Sequence, residues 1–178
     1  TSPARWLDDV LGDLAYAARR SVTPVPPASG RVAVILIDDE TYAREPFARI
    51  PRALWTPQLA QLLRGLLEAG AAVVGFDVIF ATAAETVMRG FDRPFLLALR
   101  QGVAEGRVVL AEIRDPGRRL PPAPVYQLAV GGPAALAAVD VRPDADGTVR
   151  SMPLALDGDA DAPFARRLLR HLDPARAA

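Results

Sequence analysis

Two of the most apolar segments in this chain carry carboxylates. Val73, Val74, Phe76, Val78, Ile79 and Phe80 surround Asp77 in "VVGFDVIFA", and the run from Val32 to Ile37 in "VAVILIDDE" ends on Asp38 and Asp39. Removing a carboxylate from water is costly unless it is paired and hydrogen-bonded. Such acids are therefore catalytic, ligand-binding or locked to an arginine. If the two segments are neighbouring parallel strands, Asp38 and Asp77 face the crevice beyond the strand carboxyl ends, where open α/β sheets bind ligands. Two acids there could act as general acid and base, or hold a hard cation such as magnesium. The alternative is structural: Arg52, in the loop between them, folds back and satisfies the carboxylate oxygens with its guanidinium fork. The expected arrangement is one polar cluster of Asp38, Arg52 and Asp77 with Arg150 as a fourth member, mainly structural and bordered by a ligand crevice.

Other constellations exclude more than they suggest. "DADGTVR" (Asp144 to Arg150) and "DGDAD" (Asp157 to Asp161) resemble calcium loops, but neither places glycine at the sixth and glutamate at the twelfth position of an EF-hand. Asp146-Gly147 reads instead as a turn that needs positive φ at glycine. His171 is the sole histidine and cysteine is absent, which argues against a histidine-based triad and excludes thiol nucleophiles and thiolate metal sites. No cofactor or metal is expected. No glycine-rich phosphate loop is present, since "GGP" at Gly131 has no lysine-serine pattern after it. Every basic residue is arginine, and a haloacid-dehalogenase-like phosphotransfer enzyme would need a lysine that this chain lacks.

These residues must be positioned by a recognisable order of elements. Ser2-Pro3 starts an amphipathic helix with Trp6, Leu7, Val10, Leu11 and Leu14 on one face, followed by the proline-rich loop "TPVPPASG". A strand is predicted from Arg31 to Asp38. Thr56-Pro57 opens a helix bearing Leu59, Leu62, Leu63, Leu66 and Leu67, which Gly70 stops before a strand from Ala72 to Phe80. Asp92 is the expected cap of a further helix, and Arg107 to Ile113 a third strand. A short helix near Val125 to Val130, two strands from Ala135 to Val141 and Thr148 to Leu156 joined by a hairpin turn, and a closing helix from Pro163 to Leu172 complete the pattern. Strand–helix–strand repetition with near-continuous apolar strands predicts a three-layer α/β sandwich. Its sheet is mixed and mainly parallel, with an antiparallel hairpin near the C-terminus.

The chain has 178 residues, 51% of them hydrophobic, with 21 basic and 21 acidic residues and a net charge of zero. That length supports one domain with a core, and the charge balance gives no reason to expect nucleic-acid binding. No apolar run reaches the ~20 residues needed to span a bilayer. The sequence begins without methionine, as a piece of a longer protein would.

Four fragments in unbroken order carry a family resemblance: "VAVILIDDETY", "IPRALWTPQLAQLLRGLLEAGAAVVGFDVIFA", "FDRPFLLALRQGVAEGRVVLAEI" and "VDVRPDADGTVRSMPL". Over roughly residues 31 to 155 the chain resembles the second type of CHASE domain, the cyclase and histidine-kinase associated sensory extracellular domain. The most specific parts are Ile37-Asp38, Pro51-Arg52, Gly75 to Phe80 and the "DADGTVRSMPL" turn. "FARIPR" stands where the family has a tryptophan-rich approach to the arginine, and the asparagine often found before the last turn is missing.

The resemblance implies a non-enzymatic extracytoplasmic sensor domain of a bacterial membrane protein. Flanking membrane spans would link it to a cyclase, a histidine kinase, a Ser/Thr kinase or a similar output. Residues 1–30 would form the helix and linker that continue from a span, and 31–178 the sensor. Its partner would be a small-molecule or protein stimulus. The apolar stripe on the first helix predicts a homodimer through that face. The rival reading is a small magnesium-dependent hydrolase or phosphatase using Asp38 and Asp77.

Overall fold

The computed structural model describes residues 3–23, 31–115, 118–141, 143–150 and 163–172. It is an α/β fold around a mixed four-stranded open sheet. The helices are α1 (Pro3–Val22), α2 (Asp39–Ala43), α3 (Thr56–Glu68), α4 (Arg93–Ala104), α5 (Pro124–Ala129) and α6 (Phe164–Leu172). The strands are β1 (Val74–Phe76), β2 (Val108–Asp115), β3 (Arg118–Leu120) and β4 (Leu136–Ala138). β2 is central: β1 and β4 flank it in parallel, and β3 pairs antiparallel with its far end. Both parallel pairs arise because a helix lies between the strands they join, α4 in one case and α5 in the other.

The leucine spacing of α3 puts Leu59, Leu63 and Leu67 on one buried stripe. They meet Phe95 and Leu99 of α4, Tyr126 of α5, and Val74, Phe76, Val108, Leu110 and Leu136 from one face of the sheet. At its centre four rings pack with centroids 5.2–5.9 Å apart: Phe76, Phe80, Phe95 and Tyr126. Such pairs add about 0.5–1.5 kcal/mol each beyond the area they bury. Trp55 forms a side pocket of the core, flanked by Tyr42 and Phe47 and donating its indole N–H to the Ile50 carbonyl at 2.9 Å.

Side chains alternate across a strand, so Gly75 points away from this core. A Cβ there would lie 2.8 Å from both Phe164 and Leu168 of α6. α6 thus covers the opposite face, packing on β1, β2 and β4, and helices occupy both sides of the sheet. Arg107 locks the turn into β1. It donates to the Leu67 carbonyl in the last turn of α3 and to the Ala71 carbonyl just beyond it.

Three expectations change in detail. Arg31 to Asp38 forms no strand and pairs with none among the described residues, and its side chains are exposed. Strand character is local, whereas a ladder partner is set by the rest of the fold. The strand expected from Ala72 to Phe80 pairs only over Val74–Phe76. Leu136–Ala138 runs parallel to β2, and Arg118–Leu120 adds an antiparallel ladder that the sequence pattern does not predict. Most of the expected strand from Thr148 to Leu156 lies outside the described residues.

Candidate functional site

The four residues expected to cluster occupy separate environments. Asp38 is exposed and caps α2, accepting hydrogen bonds from the Thr41 backbone N–H and hydroxyl, both at 2.9 Å. These bonds hold its carboxyl below the ordinary carboxylate value. Arg52 is exposed and stacks over Tyr42, its guanidinium carbon 4.7 Å from the ring centroid. Asp77 is exposed just past the end of β1. Among the described residues no hydrogen bond or ion pair joins any two of Asp38, Arg52, Asp77 and Arg150. The physical reason is the unpaired run before Asp38: it does not lie beside β1, so Asp38 is not brought to the sheet's carboxyl edge.

Arg150 has other partners. It donates to Asp13 of α1 at 2.8 and 3.0 Å, to Asp146 at 2.7 and 3.0 Å, and to Asp144 at 3.1 Å. Gly147 takes φ +82°, and its N–H reaches the Asp144 carbonyl at 2.9 Å, closing the turn that presents two of these acids. Arg150 holds Asp13 and Asp146 below the usual carboxylate range, and its own pKa is raised by all three acids. The guanidinium therefore ties α1 to the 144–150 turn.

Among the described residues the acids withdrawn from water are Asp92 and Glu112, both fully buried. Asp92 precedes α4 but does not cap it with its side chain. Its carboxylate instead accepts from the Thr56 hydroxyl at 2.6 Å and the Glu85 backbone N–H at 2.8 Å. It also faces Tyr126, whose hydroxyl pKa is raised by burial first and by Asp92 next. This network bolts the start of α3 to the loop before α4. Glu112 lies on β2, where Arg114 pairs with one oxygen and Arg119 of β3 approaches the other at 3.4 Å. Arg114 and Arg119 face each other across the β2–β3 ladder, so Glu112 relieves a like-charge pair. Asp140, just past β4, accepts from the Arg114 backbone N–H at 2.5 Å. Glu112, Arg114, Arg119, Asp140 and the exposed Asp77 thus gather towards the carboxyl edge of the parallel strands, the edge where α/β sheets bind ligands.

The CHASE2 domain family matches residues 2–177, essentially the whole chain. The chain belongs to the CHASE2 family. CHASE2 domains are extracellular sensory domains of signalling receptors, not catalysts. The match includes α1 and α6, beyond the 31–155 stretch where the sequence motifs lie. No curated protein and no solved structure matches the chain. No described helix of this CHASE2 domain is long and apolar enough to cross a membrane. Among its described residues no group of three or more His, Cys, Asp or Glu side chains could hold a metal ion. Reading the sequence missed Glu112, although "VVLAEIRD" carries the same signal as "VVGFDVIFA": one acid inside an apolar run.

Proposed function

We propose that this CHASE2 domain is the extracytoplasmic sensor of a bacterial transmembrane receptor whose output is an adenylate cyclase, a histidine kinase, a Ser/Thr kinase or a related module. The observation that carries this reading is the family match across both terminal helices. α1 continues from a membrane span, α6 leads back towards one, and a small-molecule or protein stimulus is read by the core between them. The place for a small stimulus is the carboxyl edge of the sheet, where Arg119 keeps its side chain 61% exposed beside buried Glu112. The apolar stripe of α1 supports a homodimer through that helix, since Trp6, Leu7, Leu11 and Leu14 are all exposed.

Arg150 is the coupling element in this scheme, because it bonds α1 and the core turn at once. Ion pairs near the surface are weak, because holding two long side chains costs entropy and salt screens the charges. A tie of that strength can be tipped by a modest stimulus, for about 1.4 kcal/mol of differential affinity shifts two states tenfold.

The absence of cysteine makes the test direct. Asp77→Cys is introduced into the full receptor, its other cysteines replaced, and intact cells are treated with a membrane-impermeant maleimide. Labelling of intact cells is expected. Labelling only after permeabilisation would place the domain in the cytoplasm and overturn the reading.

A further inference from the structure

Among the described residues, one apolar segment and one sheet edge have no strand partner. Val32, Val34 and Leu36 are 74%, 75% and 71% exposed, and Ile35 and Ile37 on the alternate face are exposed too. Among the described residues no backbone hydrogen bond involves 32–37. A run that is apolar on both faces belongs in a sheet covered on both sides. β1 borders such a position. Among the described residues it pairs only with β2, and Val74 donates to the Arg107 carbonyl at 2.8 Å. In a parallel ladder alternate residues turn to opposite neighbours, so the Gly75 N–H and C=O face the open side. The helices packing on β1 from either face, α3 and α6, carry exposed Leu62, Leu169 and Leu172.

We propose that the segment Val32–Ile37 of one chain adds to the open β1 edge of a second copy as a parallel strand, exchanged reciprocally between the two. Each copy holds both the donor strand and the acceptor edge, so a two-fold exchange satisfies both at once, and the contact closes instead of propagating. Charge does not oppose it, because 32–37 carries no ionisable side chain and the chain has no net charge. The inference deepens the homodimer reading and shares with it only the need for a partner copy.

Cysteine pairing and sedimentation test it. Chains with single cysteines at positions 32 to 37 are mixed with differently tagged Asp77→Cys chains and oxidised. Asp77 follows β1, so parallel addition predicts disulfides between the two tags from Leu36→Cys or Ile37→Cys, and not from Val32→Cys. Failure to link the tags, or linkage only within one chain carrying both cysteines, would overturn the proposal. Ile35→Lys, at an exposed position, should convert dimer to monomer in sedimentation while the circular dichroism spectrum shows the fold unchanged. If Leu11→Arg abolishes the dimer and Ile35→Lys does not, strand exchange fails while dimerisation through α1 stands.

Discussion

Glu112 and Asp92 make opposite demands on their neighbours. Glu112 depends on charge: Arg114 and Arg119 are its counter-ions. Arg114→Ala would leave a fully buried carboxylate short of its nearer partner and should cost about 3–5 kcal/mol, read as a fall in the denaturant midpoint. Replacing Glu112 and Arg114 together with apolar residues should recover most of that loss, since neither charge is then stranded. Asp92 depends on neutral donors. Thr56→Val removes the 2.6 Å hydroxyl bond and should cost about 1–3 kcal/mol. Arg52 makes no such demand: Arg52→Ala loses an exposed stacking contact on Tyr42, worth about 0.5–1 kcal/mol, and should barely move the melting temperature.

At the scale of elements, Gly102 shows how closely α4 meets the sheet. A Cβ there would collide with the Val108 side chain and lie 3.3 Å from Leu67. Alanine gains about 1 kcal/mol of helix propensity, but overpacking a β-branched neighbour costs about 1–3 kcal/mol. Gly102→Ala should therefore be neutral to destabilising in thermal melts, where an exposed helical glycine such as Gly65, with open space around it, should be stabilised by the same change. The helices were legible because their periodicity is local: Leu59, Leu63 and Leu67 announce both the helix and its buried face. The identity of the buried acid was not. Asp77 and Glu112 sit in nearly identical apolar runs, yet among the described residues β1 is an edge strand whose ladder stops at Phe76, whereas β2 is flanked on both sides and extends past Glu112. Only the order of strands in the sheet separates the two acids. The same holds for Val32 to Ile37, whose strand-like composition specifies no partner.

At the scale of the whole molecule, the tie between α1 and the 144–150 turn is electrostatic and exposed, so it responds to solution conditions. Arg150 depresses the folded-state values of Asp13 and Asp146. The tie is therefore fully present above the ordinary carboxylate value of about 4 and is lost as pH falls through the lower folded values. Spin labels at Asp9→Cys and Thr148→Cys should report an unchanged distance distribution from about pH 5 to 8, and a broadened one in stronger acid or high salt.

The two tryptophans are placed so that each reports on a different half of this behaviour. Trp55 is 3% exposed against Tyr42 and Phe47, and Trp6 is 63% exposed on α1. Emission from Trp55 should be blue-shifted and indifferent to iodide, while Trp6 should emit to the red and be quenched. A Trp55→Phe chain then leaves a single tryptophan, Trp6, on the helix proposed to lead to the membrane. Its colour and quenching, followed as protein concentration rises, would show directly whether a second copy covers that helix, while Trp6→Phe would follow unfolding of the core alone.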